Sequence, residues 1–422
     1  MEVKSLTLLK LIEQFSLYIN NFENNLSNKI SRNILPFTEL KYFIIIILVT
    51  VGVVLIKKYF KKFISYSKLI FFLTLLYIII LFPQPIHALL FIVYIYFIYK
   101  YLVLPKKIIN ILGILLVALP MVLVKFYILI PLITFIGLSY ITFRTVQLII
   151  DSQHNPEMNI IDFVSFLLFP PTLLAGPIDR SYRFANNIEN GYDQISTDNI
   201  LSGWRILLIG VLQKFIIAKM IDDFWIKNID ENSTNLKDMI SMMYGYSIYF
   251  YFDFAGYSSM AIGSAKMIGI NIPENFNYPF LSKNPQEFWR RFHITLGSWL
   301  KDYFFKPIYM YLYKFKKLRK YRLSLQNISL IITFLLMGMW NGIKFHFILS
   351  GFMFGIYSAV HNSYRYYLGI KGKDSLFNSP KITGVLSAFI LINFVVLALY
   401  VFSAKVPYLK DIDNKILMNL GF

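Results

Sequence analysis

The chain has no cysteine and only five histidines, and its 23 acidic residues are outnumbered by 42 lysines and arginines. Without cysteine it can form no disulfide, no thiolate nucleophile, no cysteine-ligated metal site and no S-acyl anchor of its own. Charge of either sign is scarce as well: 15% of the 422 residues, against 57% apolar and 18% aromatic. So much apolar surface does not fit inside one water-soluble core. Several apolar runs reach the roughly 20 residues needed to cross a hydrocarbon core of about 30 Å. The expectation is an all-α polytopic membrane protein that holds no metal and no cofactor of its own. The formal charge of +19 would suit a nucleic-acid binder, but the basic residues sit in short loops between apolar runs. That placement fits the positive-inside rule and an anionic inner leaflet, so membrane lipids are expected partners and nucleic acid is not.

Residues 1–40 read as an amphipathic, interfacial segment and linker. Leu8, Leu11, Ile12, Phe15 and Ile19 form a rough apolar face, and Lys10 and Glu13 interrupt any signal-peptide core. Residues 41–404 form the membrane domain, and residues 405–422 a short charged tail. The first span, near Tyr42–Ile56, runs into Lys57, Lys58, Lys61 and Lys62, a cytoplasmic mark. The second, near Leu69–Phe82, ends in the uncharged Pro83-Gln84-Pro85 turn. A third follows His87, an interfacial residue, and returns to Lys100, Lys106 and Lys107. Two more lie between Ile108 and Ile150, broken near Lys125. This alternation puts the amino terminus outside.

Ile161–Leu174 is too short and too proline-broken for a crossing. It reads either as a re-entrant element or as a loop, continuing through Pro170-Pro171 to Asp179 and Arg180. Further spans lie near Ile200–Ile221 and Ile240–Ile262. The second of these holds Asp253 in an aromatic run, where a carboxylate is costly unless paired. Spans near Leu325–His346, Phe347–Tyr364 and Leu386–Phe402 complete about eleven crossings, with no internal repeat. The stretch from Asn284 to Pro307 is the densest polar passage in this apolar body. On a helix, Trp289, His293, Leu296 and Leu300 would share one face, with Arg290, Arg291, Ser298 and Lys301 pointing elsewhere. A histidine in that setting is a packed core residue or a working one, and spacing alone leaves both open. Just beyond, Ile308, Met310, Tyr311 and Leu312 precede the basic run Lys314, Lys316, Lys317, Arg319, Lys320 and Arg322. That pairing reads as an interfacial helix or as a docking surface with basic steering residues.

Five motifs now stand in one order: G-L-S-Y-I-T-F-R from Gly137, A-G-P-I-D-R from Ala175, F-D-F-A-G-Y-S from Phe252, E-F-W-R-R-F-H from Glu287 and M-G-M-W-N-G from Met337. Together they resemble the membrane-bound O-acyltransferases, and within them the branch that D-alanylates teichoic acids in Gram-positive bacteria. The resemblance implies a helical ring in the bacterial cell membrane around a thinned centre, where an outer funnel meets a narrow cytoplasmic tunnel. It implies a D-alanyl donor carried as a phosphopantetheine thioester on a small acidic carrier protein. The acceptor would be teichoic acid, reached through a small membrane partner. The family's two histidines map onto His293 and position 341. Trp289, Arg290, Arg291, Trp340, Asp253, Asp179 and Arg180 would line or support the tunnel. Ile308, Met310, Tyr311, Leu312, Lys316 and Lys317 would receive the carrier.

One residue departs from the pattern. Asn341 stands where the W-H-G motif carries its histidine, and an amide takes no proton at physiological pH. His346 would lie about 140° away if the helix continued. The chain is then an inactive variant, an enzyme with His293 as sole base, an enzyme of different acyl chemistry, or a scaffold that only holds the carrier. The rival class is a lipid or polymer transporter, against which stands the absence of paired broken spans.

Overall fold

A computed structural model describes residues 35–103, 110–126, 135–152, 157–372, 380–409, 411–413 and 415. The amphipathic face expected at Leu8–Ile19, the Lys106–Lys107 pair and the end of the tail lie outside the described residues. Among the described residues every regular element is helical, and an isolated bridge joins Phe276 to Phe292. Four helical runs are long and apolar enough to cross a membrane: Lys41–Phe60, Thr197–Asn228, Lys316–Asn341 and Thr383–Phe402. Tyr66–Ile80, Pro85–Tyr101 and Ile111–Lys125 are shorter apolar helices. The protein is a helical membrane protein. It divides into two compact units, the first Met1–Ile209 with Ser259–Pro273, the second Gly210–Ser258 with Glu274–Phe422.

In the first unit, α1 (Leu40–Phe60) carries the lysine cluster on its last turn and just beyond. Lys57 donates to the Ile195 carbonyl at 2.6 Å and Lys61 pairs with Asp193 at 2.7 Å. The next helix, α2 (Tyr66–Ile80), stops at the Pro83-Gln84-Pro85 turn, and α3 (Pro85–Phe97) starts with proline where a missing N–H costs nothing. Then α4 (Asn110–Lys125) ends at the expected break. Gly137, at φ 97°, turns the chain into α5 (Leu138–Asp151), which is buried almost all round.

The proline-broken passage folds as a short helix, α6 (Ile160–Leu168), and a single 3-10 turn over Pro170–Thr172. Nine residues rise only about 14 Å, well short of a crossing. Irregular backbone follows as far as Asp179, much of it buried. The stretch is not a solvent-exposed loop, and Arg144 satisfies carbonyls at the helix end and in the turn. Its guanidinium donates to the carbonyls of Phe166 (2.9 Å), Leu167 (3.2 Å) and Thr172 (2.5 Å) and to the Thr172 hydroxyl (2.6 Å). These are charge-assisted bonds, each worth about 1.5–3 kcal/mol. Asp179 heads α7 (Ser181–Glu189), its Oδ1 accepting from the Arg180 N–H and from Arg183 Nε, both at 2.7 Å. Burial pushes the Asp179 carboxyl above the usual range, against the pull of Arg183.

Two long helices cross between the units' sequence segments. The first is α8 (Thr197–Val211), continued by a π-helical stretch over Leu212–Ala218 and by α9 (Lys219–Phe224). The second is α10 (Leu236–Met267). Within the second unit, Gly256 of α10 lets the backbone of Gly210 and Lys214 approach, since a Cβ there would lie 2.7 Å from the Lys214 nitrogen. The chain continues as α11 (Pro285–Trp289), α12 (Ile294–Leu300), α13 (Lys306–Lys314), α14 (Arg322–Asn341), α15 (Phe345–Ile370) and α16 (Pro380–Phe402).

Two expectations are corrected here. The single helix through Trp289, His293, Leu296 and Leu300 does not form. It is split between α11 and α12, with His293 in the left-handed region at φ 47°. The cause is a competing partner: Asn277 donates to the Arg291 carbonyl and Ile294 donates to the Asn275 carbonyl, both at 2.9 Å. The span expected to run to His346 ends instead at Asn341, and His346 lies in the first turn of the following helix. The 140° separation on one helix therefore has no meaning. A turn, not a helix face, relates the two residues.

Candidate functional site

The break at His293 is built by the second unit's own residues. Asn284 caps α11 by accepting from the Glu287 N–H at 2.9 Å, and Pro285 occupies the first helical position. Glu287 accepts from the Lys283 N–H at 2.9 Å and pairs with Arg291 at 2.8 Å. The Lys283 N–H, and after it Arg291, hold its carboxyl below the usual range. Arg290 is open to the surroundings, while Arg291 is half-buried in its pair with Glu287. Trp289 lies against Phe334 of α14 and Phe354 of α15, with ring centroids 5.0 Å away in each case. It anchors the short helix on that pair.

His293 faces the other way. It is 6% exposed, and its ring meets Phe254 of α10 edge to face at 4.7 Å. Its Nε2 is closed off from solvent and has no hydrogen-bond partner among the described residues. A buried polar atom left so costs about 1–3 kcal/mol. Burial pushes the imidazole's pKa down to about 3, so the ring is neutral at pH 7. Beside Phe254 in sequence, Asp253 is paired with Lys214. The sequence announced that the carboxylate needed a partner. It did not name Lys214, because nothing in composition marks the π-helical stretch that presents it.

At the end of α14, Trp340 and Asn341 are half-buried, and the Asn341 amide donates to the Met337 carbonyl at 2.9 Å. Gly338 and Gly342 make the turn tight: a Cβ on the first would lie 2.4 Å from the Phe347 carbonyl oxygen, and on the second 2.6 Å from the Phe347 ring. His346 is buried there. It is held by Asp413, whose Oδ1 accepts its N–H at 3.3 Å while Oδ2 meets Nδ1 at 2.5 Å. Sequence reasoning missed this pair, since the two residues stand far apart in the chain and Asp413 lies in the tail.

On α13, Met310 and Tyr311 are exposed and Ile308 and Leu312 half-buried. Lys316 and Lys317 are exposed on the 3-10 turn beyond it, whereas Arg319 lies over the Tyr313 ring at 5.5 Å. Asp179 and Arg180 belong to the first unit, the rest of the expected site residues to the second.

Comparison with known proteins accounts for most of this length. Residues 62–401 match the membrane-bound O-acyltransferase family. The teichoic acid D-alanyltransferase of Bacillus subtilis (strain 168) is 36% identical over 280 residues, 65% of this chain and 70% of that protein. The teichoic acid D-alanyltransferase of Streptococcus thermophilus is 32% identical over 315 residues, 70% of this chain and 75% of that protein. The peptidoglycan O-acetyltransferase of Helicobacter pylori is 35% identical over 250 residues, 58% of this chain and 44% of that protein. With the family match spanning both compact units and all five motifs, this chain belongs to the membrane-bound O-acyltransferases.

Proposed function

We propose that this protein transfers D-alanyl groups from the phosphopantetheine thioester of an acidic carrier protein toward teichoic acid, by way of a small membrane partner. The names of the two D-alanyltransferase relatives support the acyl group and the acceptor. The observation that carries the chemical reading is His293, a neutral imidazole sealed in a membrane domain with an unpartnered nitrogen, at a backbone break that tertiary hydrogen bonds enforce. A buried polar atom left unmatched is what a site looks like before its substrate arrives. An acceptor hydroxyl or a thioester carbonyl brought to this region would be oriented by His293 and by the Asn341 amide, with Trp289, Arg291 and Trp340 in support. The reading includes about eleven crossings around a thinned centre, an outer funnel and a cytoplasmic tunnel.

The α13 surface supports carrier docking, through exposed Met310 and Tyr311 with Lys316 and Lys317 beside them. The amino terminus lies outside, and the Lys314–Arg322 run lies inside. In this cysteine-free chain, Lys317→Cys labelled from outside intact cells would reverse that topology. The test of function is purified protein in liposomes, incubated with carrier loaded with radiolabelled D-alanine. Loss of label from the carrier with ester formation is expected. Carrier binding without transfer would leave the scaffold, and uptake of labelled polymer without any carrier would leave the transporter.

A further inference from the structure

We propose that His346, oriented by Asp413, takes the proton from the acceptor hydroxyl in place of the histidine that the W-N-G turn lacks. The inference rests on the acyl-transfer reading above. Both oxygens of the Asp413 carboxylate are spent on this one residue, Oδ1 on its backbone N–H and Oδ2 on Nδ1. The two side chains are 6% and 4% exposed. A carboxylate can only accept, so Nδ1 carries the proton and Nε2 is left with its lone pair. Nε2 accepts no hydrogen bond from the described residues and, unlike Nε2 of His293, is not among the atoms closed off from surrounding space. A buried acid that fixes a histidine's tautomer and leaves the far nitrogen basic is the arrangement general-base catalysis requires. No comparable carboxylate contacts the His293 ring among the described residues.

Placement agrees. Between the end of α14 at Asn341 and the start of α15 at Phe345 lies a short turn drawn tight on Phe347. The His346 ring lies on that same Phe347 ring, centroid to centroid 4.0 Å. Five residues span at most about 18 Å even when fully extended, and this segment folds back. The histidine is therefore carried by the same turn as Asn341.

In the step assigned to it, the acceptor oxygen bonds to the thioester carbonyl carbon while its proton passes to His346 Nε2. Asp413 stabilises the imidazolium that results. Collapse of the tetrahedral adduct breaks the carbon–sulfur bond, and the imidazolium returns its proton to the departing thiolate. An ester and a thiol are the products, and His346 is neutral again.

The test uses the full chain in liposomes with D-alanyl carrier and five forms: wild type, His346→Gln, Asp413→Asn, Asn341→His, and His346→Gln combined with Asn341→His. Wild type should turn over. His346→Gln should lose about 10²–10⁴ in kcat with carrier affinity kept. Asp413→Asn should lower kcat and leave KM in place, because it disturbs only the tautomer. Asn341→His should restore transfer to the His346→Gln protein, which a structural latch would not allow. Wild-type turnover in His346→Gln overturns the inference, and so does an inactive wild type that Asn341→His activates. If His346→Gln fails to fold, Asp413→Asn decides alone, an unchanged kcat overturning it. Transfer from an acetyl-loaded but not a D-alanyl-loaded carrier overturns the acyl assignment only, and the same variants are then read on acetyl.

Discussion

The Asn275 side-chain oxygen accepts from both the amide and the hydroxyl of Thr295, at 3.3 and 2.8 Å. Its amide nitrogen donates to the Ser258 hydroxyl at 3.2 Å. One fully buried asparagine therefore ties α10 to the first turn of α12 and holds His293 at the break between α11 and α12. Asn275→Ala removes both acceptor contacts to Thr295 and the donor contact to Ser258, and the cost should be about 0.5–1.5 kcal/mol per bond lost. Thermal melting in detergent should show a clear drop, and D-alanyl transfer should fall further than stability does. A melting temperature equal to wild type would remove Asn275 from this role.

His293 sets a pH dependence whose sign is fixed. Its pKa is about 3 in the folded chain, against 6.5 for an ordinary histidine. The unfolded state therefore binds the extra proton as pH drops below that ordinary value. The stabilising difference is whole above about pH 6.5 and is lost progressively toward pH 3, by at most about 1.4 kcal/mol per pH unit. His293→Phe should flatten the decline in melting temperature between about pH 7 and pH 5, and His293→Ala should abolish transfer. An equal slope in wild type and His293→Phe would contradict the first expectation.

Lys214 and Asp253 form a half-buried pair, their side chains 20% and 36% exposed. Asp253→Asn leaves an uncompensated lysine, at a cost between the about 1 kcal/mol of surface pairs and the about 3–5 kcal/mol of buried ones. Lys214→Met combined with Asp253→Leu should recover most of that loss. A double-mutant cycle on melting free energies measures the difference. Additive losses would mean the pair contributes nothing as a pair.

Lys316 and Lys317 are exposed and stand beside the apolar residues of α13. Reversing both to glutamate should weaken binding of the acidic carrier, and the effect should shrink with salt because the Debye length is about 10 Å at 0.1 M. Arg319 is held over Tyr313, so Arg319→Glu should disturb this segment's own packing as well. Calorimetry at low and high salt separates the two. Equal carrier affinity of wild type and the Lys316/Lys317 reversal at low salt would leave α13 as a membrane-surface helix only.

Hydropathy and lysine placement made the long helices legible, and Lys125, Pro170-Pro171 and Pro85 marked ends that the structure keeps. These are local signals: solvation of charge and the missing N–H of proline act within a turn or two. The break at His293 was illegible for the opposite reason. W-R-R-F-H-I holds no proline or glycine, and a helix is its best isolated conformation. Asn275 and Asn277 override that preference from outside the segment. The His346–Asp413 and Lys214–Asp253 pairs escaped on the same ground, since each joins residues whose nearness exists only after folding. The motif residues themselves were readable, but the turn that parts Asn341 from the helix of His346 was not.

Where α14 and α15 face each other, Gly338, Gly351 and Gly355 leave no padding. A Cβ on Gly351 would lie 2.4 Å from the Phe334 carbonyl oxygen and one on Gly355 3.0 Å from the Ile331 Cα. Side chains can rotate aside, whereas touching backbones cannot yield, so these two helices are mechanically a single stiff rod with the W-N-G turn at its tip. Any hinge that admits substrate to that tip must lie outside the pair.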